Sequence, residues 1–193
     1  MSCPSQSWQD CVDEILITEE ALQSRIAQMG SEISDDYQGQ DLLLICVLKG
    51  GVVFLTDLMR HISVPHSIDF MAVSSYGTGV RQSSGVVRIL MDLSADIKGR
   101  NVLIVEDIID TGHTLDYLLR LLRARNPASL HICCLLDKPA RREVNIPVDY
   151  LGFSIPDKYV FGYGLDLDEL YRELPLVATL KPELYGEFAG EDA

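Results

Sequence analysis

The sequence predicts one α/β domain, a central, mostly parallel, twisted sheet with helices on both faces. Three observations carry that expectation. The runs DLLLICVL (41–48), NVLIVED (101–107) and LHICCLLD (130–137) are apolar through their interiors, without the alternation of a half-exposed strand, so they read as strands buried on both faces. Apolar residues at helical spacing follow the first two of these runs, the rhythm of a parallel sheet with crossover helices. The runs also lead into Lys, Gly and Asp residues, and in open α/β sheets the carboxyl ends of the strands carry the ligand site.

Taken in order, Thr18-Glu19-Glu20 reads as a helix N-cap with acids in the first turn. Leu22, Ile26 and Met29 follow near helical spacing, and Gly30 is the expected stop. The buried strand 41–48 ends in Lys49-Gly50-Gly51, and Val52, Leu55, Met59 and Ile62 mark one face of the next helix. SIDFMAVSSYG (67–77) reads as a strand running into a Tyr-Gly-Thr-Gly loop, VVRILM (86–91) as another strand, and residues 96–100 as a turn. After the strand at 101–107, a helix from about Thr114 turns Leu115, Leu118, Leu119 and Leu122 inward. The strand LHICCLLD comes next, and VDYLGFSI (148–155) the one after; beyond Ile155 the pattern breaks into short pieces rich in Gly, Tyr and Asp.

A chain of 193 residues, 47% hydrophobic and 23% charged, suits one domain with a real core. No apolar run is long enough to span a membrane, and MSCPSQSWQDCVDE lacks the basic start and apolar stretch of a secretory signal, so a cytoplasmic location is expected. The five cysteines include no C-x-x-C pair and read as small core residues in a reducing compartment, Cys133 and Cys134 on opposite faces of a strand. A net charge of −13, with Arg141-Arg142 the one adjacent basic pair, argues against nucleic acid as a partner.

Most of the chemistry sits in VLIVEDIIDTGHTL (102–115). Small and hydroxylated residues around Gly112 let backbone N–H groups point into one hollow at a helix N-terminus, where a phosphate can sit. An ordinary helix cap by Asp110 or Thr111 reads the same pentapeptide equally well. It is neither a Walker loop nor a dinucleotide fingerprint. Glu106 and Asp107 favour a ligand: two carboxylates beside a phosphate become sensible facing sugar hydroxyls or a divalent cation shared with the phosphates. Both reach one ligand only where the strand ends and turns. Lys49-Gly50-Gly51 offers a cation and two residues without side chains for close approach to a second anionic group.

On these residues VLIVEDIIDTG resembles the signature of the type I phosphoribosyltransferases. LLLICVLKGG (42–51), SSYG (74–77), Lys138 after LLD, IPDKYVFGYGLDLDELYR (155–172) and LPLVATLKPELY (174–185) narrow the resemblance to the hypoxanthine-guanine members of bacterial type. It spans about residues 10–185. The resemblance implies the type I phosphoribosyltransferase fold over residues 1–193, with a core at about 36–150 and a small irregular hood from 1–35 and 151–193. It implies transfer of phosphoribosyl from 5-phosphoribosyl-1-diphosphate to hypoxanthine or guanine, with Mg²⁺ as cofactor, and a homodimer or homotetramer.

Roles then follow residue by residue. Glu106 and Asp107 would hold the ribose hydroxyls, directly or through Mg²⁺, and Asp166 would bind a second Mg²⁺. Asp110, Thr111, Gly112, His113 and Thr114 would take the 5′-phosphate, with Asp110 also the general base. Lys49, Gly50 and Arg172 would meet the diphosphate. Lys138 would donate to the purine 6-oxo group, Tyr159 would stack on the ring and the Val160 backbone would contact its edge. Ser75 and Tyr76 would belong to a loop, residues 75–85, that closes over the site. The family also implies a cis Leu48–Lys49 peptide. Three positions depart from its pattern: Tyr159 stands where phenylalanine is usual, Leu167 where tyrosine is common, and His113 where another basic or polar residue is typical. An RNA-binding regulator on the same fold would need an extended basic face, and transfer to xanthine or a pyrimidine would keep the same sugar motif.

Overall fold

Leu42, Leu44 and Cys46 face one core while Leu43, Ile45 and Val47 face another, which is why the run between them carries no polar residue. The same split recurs at Leu103 and Val105 against Val102 and Ile104, and at Cys133 against Cys134, the opposite-face placement expected of the two thiols. The computed structural model describes residues 7–75 and 87–185. Its elements are α1 (Trp8–Cys11), β1 (Val12–Ile17), α2 (Glu19–Asp36), β2 (Leu42–Leu48), α3 (Gly51–His61), β3 (His66–Ser75) and β4 (Val87–Met91). Then come β5 (Asn101–Ile109), α4 (His113–Arg123), β6 (Ser129–Asp137), β7 (Tyr150–Ser154), β8 (Val160–Phe161) and β9 (Val177–Leu180).

The main sheet has the order β4-β3-β2-β5-β6-β7, parallel throughout except for the antiparallel edge strand β4. α2 and α3 cover one face through Leu22, Ile26, Met29, Ile33, Phe54, Leu55 and Leu58. α4 covers the other through Leu115, Leu118, Leu119 and Leu122. Each such side chain removed from water contributes about 1.5–3 kcal/mol. This is the α/β class expected from the strand runs.

Several local expectations shift. Gly30 does not end α2, which runs on to Asp36; a side chain at Gly30 would collide with His61, so the glycine lets α2 and α3 approach closely. Thr18 does cap α2, its Oγ1 accepting from Ala21 N at 3.3 Å. On α3 the buried stripe is Phe54, Leu55 and Leu58, with Val52 and Met59 only half-buried, so the inward face is rotated from the one the spacing suggested. A second, antiparallel sheet of order β1-β9-β8 pairs the two ends of the chain and carries its own core of Cys11, Phe161, Leu167, Leu174, Ala178 and Leu180. α2 packs on the main sheet, in a core that Ile17, Val160 and Val177 of the smaller sheet also enter, and β7 still belongs to the main sheet.

Candidate active site

β2 and β5 are neighbours, but the chain leaves β2 toward β3 on one side and β5 toward β6 on the other. The helices that follow them, α3 and α4, lie on opposite faces. A crevice opens at the carboxyl ends of two such strands, and it is where open α/β sheets bind ligands. Lys49-Gly50-Gly51 leaves β2 there, and residues 106–114 leave β5 beside it.

The Gly50 loop is clamped from two sides. A Cβ on Gly50 would overlap the Asp107 carboxylate, and one on Gly164 would overlap the Gly50 carbonyl. Gly50 itself has ordinary helical angles, φ −59° and ψ −42°, so its missing side chain matters for proximity and not for conformation. Gly164 needs its freedom for both reasons, since its φ is +97°. The Leu48–Lys49 peptide is cis.

β5 runs on through Ile109, so the strand does not end at the acidic pair as expected from the sequence, but its alternation slips there, with Val105 in the core under α3 and Ile109 in the core under α4, so the backbone turns at Glu106 and Asp107. Asp107 turns toward Gly50, and its Oδ1 accepts from Ile108 N at 2.8 Å. Burial pushes its carboxyl up to about 6, against the lowering effect of nearby Arg172, with Asp166 adding to the rise. Burial, and then the Asp107 charge, hold the Glu106 carboxyl well above the usual range, and Glu106 Oε2 is buried with no hydrogen-bond partner. An oxygen in that position is costly unless something else donates to it or coordinates it.

The next turn forms the expected hollow. Gly112 is the N-cap of α4 at φ +90°, ψ −8°, and no side chain caps the helix, so neither Asp110 nor Thr111 takes the capping role. The first N–H groups of α4 are therefore left to a ligand or to water, with the helix dipole favouring an anion. Thr111 O is braced by Glu143 N at 3.0 Å and Val144 N at 3.2 Å. His113 Nε2 lies 2.6 Å from Glu143 Oε2 in a solvent-exposed contact, which ties this family departure to an acid.

Arg172 donates from Nη1 to Gly164 O at 2.8 Å, and its Nη2 lies 2.9 Å from Asp166 Oδ1. Asp166 Oδ2 also accepts from Glu169 N at 2.9 Å. Lys49 and Arg172, expected at the diphosphate, thus sit together with Asp107 and Asp166 around the Gly50–Gly164 contact. Lys138 is buried at the end of β6, and its N donates to Ile109 O at 3.0 Å. Half-buried Tyr159 precedes buried Val160 at the start of β8, with its ring centroid 6.4 Å from that of Tyr185. Ser75 is the last residue of β3; Tyr76, most of the expected closing loop and the tail at 186–193 lie outside the described residues.

The sequence reading missed three participants. Arg141 Nε lies 2.6 Å from Asp110 Oδ1, without hydrogen-bond alignment, and Arg141 Nη1 lies 3.6 Å from Asp157. Arg142 pairs with Asp137 at 2.7 Å in a largely buried contact. The adjacent arginines therefore serve separate acids and do not form a basic patch. Tyr163, at φ +50°, donates to Asp57 Oδ2 and ties the turn that holds Gly164 to α3. The unusual density of Gly and Tyr after Ile155 was the only signal of that strained turn.

Comparison with known proteins agrees with this geometry. The phosphoribosyl transferase domain model matches residues 12–170. The hypoxanthine-guanine phosphoribosyltransferase of Mycobacterium avium is 52% identical over 94% of this chain and 92% of its own length. The chain belongs to the hypoxanthine-guanine branch of the phosphoribosyl transferase family. It is accordingly a pentosyltransferase. The hypoxanthine phosphoribosyltransferase of Escherichia coli K12 is 49% identical over 86% of this chain and 94% of its own. A crystal structure of a hypoxanthine phosphoribosyltransferase from Staphylococcus aureus superposes with a TM-score of 0.89 at 46% identity, covering 94% of this chain and 98% of that one. The phosphoribosyltransferase fold thus explains both sheets, and no described helix is long and apolar enough to cross a membrane.

Proposed function

We propose that this chain transfers the 5-phosphoribosyl group of 5-phosphoribosyl-1-diphosphate to hypoxanthine, guanine or both, releasing diphosphate, and that it requires Mg²⁺. The observation that carries the reading is the meeting, at one crevice, of a buried acidic pair and a helix N-terminus that no side chain caps. The acids suit sugar hydroxyls and a hard cation; the bare N–H groups suit the 5′-phosphate.

Glu106 and Asp107 would hold one Mg²⁺, and Asp166 a second. The unpartnered Glu106 oxygen and the mutual repulsion of Glu106 and Asp107 fit a cation. Among the described residues no three acid, His or Cys side chains gather to form a cage, so oxygens of the substrate would have to complete the coordination of Mg²⁺. When bound, Mg²⁺ neutralises charge that builds on the departing diphosphate.

The protein's own groups do the rest. The residues from Asp110 to Thr114 fix the 5′-phosphate and so place C1 of the sugar against the purine. A purine ring nitrogen attacks C1 as the bond from C1 to the diphosphate oxygen breaks, with the bonding electrons leaving on diphosphate. Asp110 accepts the proton that the ring gives up, its carboxylate steered by Arg141. Lys49 and Arg172 meet the developing negative charge. Tyr159 packs on the ring, the Val160 backbone meets its edge, and Lys138 donates to the 6-oxo oxygen, a contact that gains nothing from the amino group of adenine.

Incubating the chain with the sugar diphosphate, Mg²⁺ and each nucleobase in turn tests this directly. Hypoxanthine and guanine should yield their nucleoside monophosphates and diphosphate. Lys138→Met should lower kcat/KM for the purine by about ten- to a hundredfold, as for loss of a charged hydrogen bond, with KM for the sugar diphosphate nearly unchanged. Reaction with uracil or orotate alone would contradict the reading.

A further inference from the structure

Glu169 stands where the reaction gives it no part. Its Oε2 lies 2.7 Å from Lys49 Nζ and 3.4 Å from Arg172 Nη2, so a single carboxylate oxygen engages both cations assigned above to the diphosphate. The pairing joins distant parts of the chain, the loop after β2 and the turn that precedes β9. It is also imposed by the backbone. Asp168, Glu169 and Tyr171 have φ of +53°, +68° and +68°, left-handed angles that side chains other than glycine seldom adopt. Asp166 fastens the turn through Glu169 N, and Leu167 and Leu170 close it with reciprocal backbone bonds of 3.0 and 3.1 Å. A strained turn this firmly tied does not arise from a surface acid finding a nearby lysine. Its effect is to deliver a negative charge between Lys49 and Arg172, whose Nη2 Asp166 also holds at 2.9 Å, with Glu169 itself 64% exposed and so accessible to exchange.

We propose that Glu169 is an internal substitute for the diphosphate: its carboxylate engages Lys49 and Arg172 until an incoming diphosphate takes over both cations. The inference rests on the assignment of those two cations under the proposed function. Glu169 then sets a threshold for anions at this subsite. A ligand must offer the two cations more than one exposed carboxylate does, which a diphosphate can and a single monoanion cannot. It also assists product release, because the cations are handed back to a ready partner.

Calorimetric titration of the full chain with inorganic diphosphate, at one fixed Mg²⁺ concentration and low salt, tests it. Glu169→Gln should bind diphosphate about two- to tenfold more tightly than the unaltered chain, the range expected for releasing one exposed and one partly buried ion pair, and the gain should shrink as salt is raised. Affinity for inosine monophosphate, which lacks the diphosphate, should stay the same. In a Lys49→Met background the gain should shrink. Should Glu169→Gln fold poorly, Glu169→Asp, which withdraws the carboxylate by one methylene, should shift binding in the same direction. Unchanged or weaker diphosphate binding, or an equal tightening of inosine monophosphate, overturns the proposal. If the unaltered chain makes nucleotide while Glu169→Gln shows no gain, only this inference fails; if it makes no nucleotide from any purine, the proposed function fails first.

Discussion

At the scale of single residues, Asp107 shows how a site opposes stability. Its carboxyl belongs in the folded protein to a group held up to about 6, chiefly by burial, so the native state keeps a proton that the unfolded chain gives up nearer pH 4. The contribution of Asp107 to stability is therefore most favourable below about pH 4, declines between about pH 4 and 6, and levels off above it. Asp107→Asn should remove that slope, raising stability at pH 7–8 by about 1–3 kcal/mol while abolishing most nucleotide formation. Thermal unfolding followed against pH, with activity assayed in parallel, checks both halves. The Asn oxygen can still accept from Ile108 N, so loss of that bond does not cloud the comparison. Affinity for the sugar diphosphate with Mg²⁺ should likewise weaken as pH falls through about 6. The presence of this acid was legible in VLIVED, but its burial was not, because it depends on Gly50, and on Gly164 packed against Gly50, from elsewhere in the chain.

Among the elements, the turn between β8 and β9 matters more than its irregular sequence suggested. Gly164 lets the turn rest on the Gly50 carbonyl, Arg172 grips the Gly164 carbonyl, and Tyr163 anchors the same turn to Asp57 on α3. Gly164→Ala should therefore lower stability by about 1–3 kcal/mol and raise KM for the sugar diphosphate several-fold, with KM for the purine less affected. A melting curve and steady-state kinetics on the variant decide this. The regular elements were easier to read. β2, β5 and β6 announced themselves as apolar runs because both their faces are covered, and α4 through leucines on one stripe. The end of α2 was misread because Gly30 looks like a stop in one dimension and is a packing contact with His61 in three. Helix α3 was rotated because Val52 and Met59 have the right spacing, while Phe54, Leu55 and Leu58 have the deeper neighbours.

For the whole molecule, the two sheets divide the work. The main sheet supplies the crevice between β2 and β5, and the turn between β8 and β9 of the smaller sheet brings Asp166 and Arg172 close to Asp107. Local patterns revealed the first and only the resemblance to a family suggested the second, since β8 has two residues and β9 four, too short for periodicity to speak. Long-range ion pairs such as Arg141 with Asp110 and Lys49 with Glu169 left no local trace at all. The central claim is that the acidic pair of β5 meets the sugar while the bare start of α4 meets its phosphate. A crystal structure with inosine monophosphate bound is the most direct measurement. The account predicts ribose hydroxyls within hydrogen-bond reach of Glu106 and Asp107, and phosphate oxygens on the backbone N–H groups that open α4. A nucleotide seated elsewhere, with both carboxylates facing bulk water, would contradict it.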